Sequence, residues 1–287
     1  MVSCQNVRCS YFYSIPALDP LIFFLKLLNN PGARAGGQEF TVADGYEDKV
    51  SSDYQNARLI MNRVSPGGMT PLNEHILHLH ERISAMALGL ERDGKRAVII
   101  IATDGLPTDE MGYSGDFPSG QFVQSLRLLE GLPVWVVIRL CTDDDKVVSF
   151  YNNLDEQLEL SLEVLDDFTA EAKEVYEFNA WLNYSLPLHR MRELGFHDRV
   201  FDLIDERTLT KSELRQFCLL LFGEAQFDGI PDPAVDWLGF TNEIERMLQK
   251  ERSQWNPLKK KAMPWIDTRQ LNRMYGSQSC AYGCVIQ

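Results

Sequence analysis

Apolar and polar positions alternate in blocks along the chain, and each block predicts an element. Residues 21–28 are apolar apart from Lys26 and predict a buried strand, closed by Asn29-Asn30-Pro31-Gly32. Beyond the Gly36-Gly37 turn, residues 39–43 predict a second short strand that completes a hairpin. Residues 51–64 put Tyr54, Ala57, Ile60, Met61 and Val64 on one helical face. The loop Ser65-Pro66-Gly67-Gly68-Met69-Thr70 leads into a helix with Leu72, Ile76, Leu79, Ile83 and Met86 at helical spacing. Thr70 stands at its N-cap and Pro71 at the first helical position, where the missing N–H costs nothing. Residues 97–103, Ala-Val-Ile-Ile-Ile-Ala-Thr, have the composition of a strand buried on both faces of a parallel sheet. That strand stops at Asp104-Gly105, with Pro107 two residues on.

A helix over 122–130 is ended by Gly131, and 132–140 predict a second buried strand. Asp143-Asp144-Asp145 opens a helix to about 158 with its acids at the positive end, and 161–165 predict a last edge strand before a helix over 169–182. Strands alternating with helices predict an α/β fold with a doubly wound, mostly parallel sheet. Beyond Asn183 the pattern turns helical, at 187–196, 200–206, 210–222 and 233–252, with Thr210-Lys211-Ser212-Glu213 as a capping box. The expected organisation is an irregular arm over 1–20, the α/β domain over 21–183, a helical extension over 184–256 and a flexible basic tail over 257–287.

Composition narrows the function classes. The chain has 287 residues, 45% hydrophobic and 24% charged, room for one large domain or a smaller one with an appendage. A net charge of -13 argues against a nucleic-acid partner, because phosphate contacts need clustered Lys and Arg. No run approaches the roughly 18 apolar residues of a membrane span, and no signal-peptide pattern opens the chain. Six sparse cysteines fit neither a disulfide framework nor a zinc site, so a reducing, cytoplasmic setting is expected, with Cys141 and Cys218 as buried thiols.

Asp104 is an acid delivered at the carboxyl end of a central strand, where open α/β sheets place ligands. Thr70 is expected on the same sheet edge. Two motifs here resemble the von Willebrand factor type A domain family. Gly67-Gly68-Met69-Thr70-Pro71-Leu72 is similar to its glycine-rich loop with a metal-coordinating Thr before Pro-Leu, with one inserted Met. Thr103-Asp104-Gly105-Leu106-Pro107 is similar to its strand followed by Thr-Asp-Gly-x-Pro. The resemblance covers about residues 21–182. It implies a Rossmann-like fold, a protein partner met at Gly68, Thr70, Asp104 and Gly105, and Mg²⁺ held by Thr70 and Asp104. The family's Asp-x-Ser-x-Ser motif, which follows its central first strand, occurs nowhere in the chain. Thr70 and Asp104 alone give two ligands, and Mg²⁺ wants near-octahedral oxygen coordination, so the resemblance implies an incomplete site. Either residues 7–14 supply the missing strand or the chain is a truncated or misassembled version of a longer protein; the second is the expectation.

His75, His78 and His80 lie on one helix without a metalloprotease spacing, and a solvated flank is expected. Residues 202–213 have Ile204 and Arg207 where a calcium loop needs a ligand and Gly. No P-loop, dinucleotide fingerprint or nucleophile elbow is present, so a non-enzymatic reading is favoured. A metal-dependent hydrolase using Asp104 and Asp109 is the least supported alternative. The last four residues, Cys284-Val285-Ile286-Gln287, have the C-a-a-X form of a farnesylation signal. Cys280 offers a second lipid site, and Lys259, Lys260, Lys261, Arg269 and Arg273 make this region basic. One lipid binds only marginally, so these additions point to peripheral membrane association as an alternative, with the α/β domain as a scaffold.

Overall fold

The computed structural model describes residues 23–28, 37–42, 49–64, 69, 71–154 and 156–276. They fall into two compact units, the first within residues 1–75 and 107–118, the second within 76–106 and 119–287.

In the first unit β1 (Phe23–Lys26) and β2 (Glu39–Val42) pair antiparallel, Phe23 opposite Val42 and Lys26 opposite Glu39. This is the expected hairpin, but β1 is not the buried strand expected: Phe24 is 55% exposed. Gln38 extends it, its Nε2 donating to Leu27 O at 2.8 Å. Helix α1 (Val50–Arg63) buries only Ala57 and Ile60 of its predicted face; Met61 is 53% exposed. His75 is no solvated residue, since its Nε2 lies 2.8 Å from Leu28 O. It sits in the first turn of α2 (Leu72–Arg92).

In the second unit β3 (Ala97–Thr103), β4 (Val134–Leu140) and β5 (Leu162–Leu165) form a parallel sheet in the order β3-β4-β5. The fold is therefore mixed α/β, with helices around a small parallel sheet. Burial on both faces belongs to β4, where Val136, Val137 and Ile138 are all inaccessible. Strand β3 alternates instead: Ile99, Ile101 and Thr103 are buried, whereas Val98 and Ile100 are 44% and 43% exposed. The difference lies in cover: Ile100 shares a face with its partner Val137 of β4, and that face is closed over Val137 and open over Ile100.

Between these strands lie α3 (Asp116–Arg127), α4 (Asp145–Asn152) and, after β5, α5 (Phe168–Phe178). Helix α3 starts six residues before the predicted 122, because Pro118 falls in the first turn, where no N–H is needed. Helix α4 stops six residues short of the predicted end, at Asn152-Asn153. Cys218 is buried as expected, but Cys141 is exposed, at the residue after β4.

The C-terminal helices are α6 (Leu186–Glu193), α7 (Arg199–Asp202), α8 (Lys211–Phe222) and α9 (Trp237–Leu248). They fall in the same compact unit as the sheet. Register puts Trp135, Val137 and Arg139 of β4 on one face with Glu163 of β5. Arg139 Nε pairs with Glu193 Oε1 at 2.7 Å and Glu163 with Arg192 at 2.7 Å, which seats α6 on that face. The capping box of α8 is present, Glu213 N donating to Thr210 Oγ1 at 3.3 Å.

The expectation of a loose tail from Pro257 is corrected as far as Gly276. Strands β6 (Gln254–Asn256) and β7 (Lys261–Met263) form a hairpin, followed by α10 (Thr268–Tyr275). Ile266, Leu271 and Tyr275 enter a core with Trp181, Phe201, Phe217 and Phe240. Asn183 ties the hairpin down: its Nδ2 donates to Gln254 O and Met263 O, and its Oδ1 accepts from Asn256. Asn179, fully buried, satisfies all its bonding capacity on Ile204 O, Arg207 O, Leu209 N and Trp181 Nε1.

Candidate functional site

A parallel sheet brings every strand's carboxyl end to the same edge. Thr103 of β3 pairs with Leu140 of β4, and Arg139 with Leu165 of β5. The chain therefore leaves this edge through Asp104, through Cys141-Thr142-Asp143, and through Asp166-Asp167. Asp104 is exposed. The turn after it is set from below: Gly105 N donates to Thr103 Oγ1 at 3.3 Å, and Tyr151 of α4 donates its hydroxyl to Gly105 O at 3.0 Å. Gly105 has no left-handed backbone, and a Cβ there would meet open space, so neither strain nor packing demands glycine.

Two of the edge acids have structural work. Asp144 caps α4, accepting from Lys146 N and Val147 N, and Asp167 caps α5, accepting from Thr169 N and Ala170 N. Asp166 has its carboxyl raised above the usual range, by burial first and then by the charges of Asp167 and Asp143. The edge is thus acidic on the β4–β5 side. Asp109, the second carboxylate of the hydrolase reading, is committed to its own loop, its Oδ1 accepting from Met111 N and Tyr113 N at 2.9 Å each.

Gly68 and Thr70 lie outside the described residues, as do Cys280 and Cys284 and the segment 7–14. Among the described residues Asp104 belongs to no group of three His, Cys, Asp or Glu side chains close enough to share an ion.

A second polar centre lies under α6 and was not anticipated from the sequence. Arg192, nearly buried, donates from Nε to Glu163 Oε1 at 2.7 Å and from Nη1 to Glu171 Oε2 at 2.8 Å and Asp205 Oδ2 at 2.5 Å. Three carboxylates around one guanidinium leave a surplus of negative charge in a poorly solvated place. Burial therefore pushes Glu171 up to about 8; Arg192 opposes the shift, and Asp205 and Glu174 add to it. Glu163 is raised for the same leading reason. Burial works against charge on Arg192 as well, but its carboxylates outweigh that and hold its proton more firmly than usual.

Glu171, Glu174 and Asp205 come close enough together to hold a cation. The Arg192 guanidinium already bridges Glu171 and Asp205, so the positive charge there is supplied by the chain. Beside it, Glu193 accepts from Arg190 and pairs with Arg139 and His189. Burial alone would raise it; the His189 hydrogen bond and the two arginines hold it below the usual range. These groups bind and orient one another, joining β5, α5, α6 and the residues after α7. No spacing announces such a centre, because its members come from separate elements. The local hint is Arg192 one turn after Leu188 on the buried side of α6.

No family model matches the chain, and no curated protein or solved structure matches it. Its described architecture is a mixed α/β fold with a three-stranded parallel sheet, and no helix among the described residues is long and apolar enough to cross a membrane.

Proposed function

We propose that the chain is a non-enzymatic interaction module of the von Willebrand A type, doubly wound, that meets a protein partner at the carboxyl edge of its sheet. Asp104 and Gly105 stand at that edge, and Gly68 and Thr70 are their expected companions. The observation that carries the reading is the exposed Asp104 at the carboxyl end of a parallel strand, held by a turn that Thr103 and Tyr151 brace. A partner carrying cationic or hydrogen-donating groups complements this edge without any metal. Mg²⁺ enters only if Thr70 and further oxygens complete the coordination.

A photo-crosslinking residue at position 105, where a side chain meets open space and Asp104 is kept, tests the reading against the same residue at Asp93, which precedes the amino end of β3. Capture of one protein from position 105 and not from position 93 is expected; equal capture from both, or none from 105, overturns it. The metal is tested separately by titrating Mg²⁺ calorimetrically into wild type and Asp104→Ala. Identical traces remove it and leave the module reading standing.

A further inference from the structure

The loop after β3 is a closed frame. Residues 107–118 belong to the first unit, and a bridge between Thr108 and Ser114 draws the loop together. Asp109 locks it from inside. Its amide donates to Tyr113 O and its carbonyl accepts from Gly112 N, each at 3.0 Å, in addition to the two bonds on its carboxylate. Gly112 sits at φ 85°, which favours glycine there.

What this frame, and the first turn of α3 that follows it, hold out is apolar. Met111 is 81% exposed, Tyr113 70% and Phe117 72%. Met and aromatic side chains are the types concentrated at the centres of protein interfaces. A frame already fixed by its own hydrogen bonds loses little freedom on binding, so contact energy is not spent on ordering it. Along the chain, the charge next to these side chains has one sign. Between Arg96 and Arg127 there is no Lys, Arg or His, while Asp104, Asp109, Glu110 and Asp116 fall within the stretch. Glu110 and Asp116 are exposed next to the apolar side chains in the chain.

We propose that residues 107–118 form a docking loop for a protein segment in which aromatic or aliphatic side chains are flanked by Lys or Arg. Met111, Tyr113 and Phe117 enter the partner's apolar surface, and Glu110 and Asp116 meet its cations at the rim. The inference rests on the interaction-module reading for its premise that the partner is a protein, but it uses neither Thr70 nor a metal. The acidic rim disfavours an anionic membrane as the occupant, because such surfaces attract basic segments and repel acidic ones.

The test selects a phage-displayed random peptide library against the full chain. Enriched peptides are then measured by fluorescence anisotropy on wild type, Phe117→Ser, Tyr113→Ser, the double variant Glu110→Lys/Asp116→Lys, and Asp104→Ala. Both apolar side chains are exposed, so their loss leaves the fold intact, which circular dichroism checks. Expected are peptides rich in Lys or Arg beside aromatic residues, weakened at least about tenfold by Phe117→Ser or Tyr113→Ser. The double charge reversal is expected to slow association and abolish its salt dependence. Peptides that bind both serine variants like wild type overturn the docking loop. If those peptides weaken on Asp104→Ala, the module reading survives that failure; if they do not, both fall. Acidic peptides, or no enrichment, also overturn the loop. Phosphatidylcholine vesicles that bind wild type but neither serine variant overturn it in favour of a lipid surface.

Discussion

Replacing Glu171 by Gln removes one proton-binding site from the Arg192 centre while keeping size and shape. The wild-type carboxyl is held at about 8, against an ordinary value of 4.5, chiefly because it is buried. The sign follows from linkage. Between these two values the folded chain keeps a proton that the unfolded chain releases, so stability falls as pH rises through this window. Below it both states hold the proton, and the contribution is fully present. A tenfold difference in proton affinity corresponds to about 1.36 kcal/mol, so Glu171 alone takes about 4–5 kcal/mol from the fold between the ends of the window. That is comparable with the whole stability of a marginal domain.

The amide of Glu171→Gln cannot titrate, yet its oxygen still accepts from Arg192 or from Asp166 N, and its NH₂ can donate to Asp205. Urea unfolding followed by tryptophan fluorescence, with Trp181 buried in the core, reads the outcome at about pH 5, 6.5 and 8. The expected result is a shallower decline for the variant, with the difference in slope near one proton and the variant as stable as wild type or more so at the alkaline end. Parallel pH profiles for the two proteins would refute the reasoning, because they would mean that Glu171 titrates alike in the folded and unfolded chains.

Arg192→Met removes the cation that Glu163, Glu171 and Asp205 share and is expected to cost about 3–5 kcal/mol near neutral pH; a loss under about 1 kcal/mol by urea titration speaks against a buried ionic centre. Asn179→Ala strips partners from Ile204 O, Arg207 O, Leu209 N and Trp181 Nε1, and about 3 kcal/mol or more is expected from calorimetric melting. Cys284→Ser is expected to abolish any partitioning into the membrane fraction of cells; unchanged partitioning removes the prenyl-anchor alternative.

The elements legible from the sequence were those whose signal is local. The β-branched run 97–103 marks β3 residue for residue, and Thr210 and Glu213 mark the start of α8 because a capping box is written within four residues. Burial was less legible than the elements themselves. Val98 and Ile100 are as apolar as Ile99 and Ile101, and only the cover on each face of the strand decides which of them meets water. The order of residues 257–276 was missed because the run Lys259-Lys260-Lys261 between Pro257 and Pro264 reads as a loose segment. The informative signals were smaller: Asp267 before Thr268 as an N-cap, and Leu271 and Tyr275 one turn apart. The edge at Asp104 could be anticipated from strand order, whereas the Arg192 centre gathers Glu163, Glu171 and Asp205 from positions with no common spacing.

The bonds of Asn183 bear on when this molecule can fold. Its amide reaches Met263 O across 80 residues, and Tyr275 closes on Leu209 O across 66. Chain synthesis delivers the sheet, α6 and α8 well before either partner exists. Through that interval the surfaces around Trp181 and Phe217 await Ile266, Leu271 and Tyr275. Folding that depends on such distant pairs is slow, and a nascent chain holding them open exposes apolar surface to its neighbours. Helix α10 therefore governs the timing of the unit as well as its stability: on the ribosome, the core of this unit closes only after the chain has run past Tyr275.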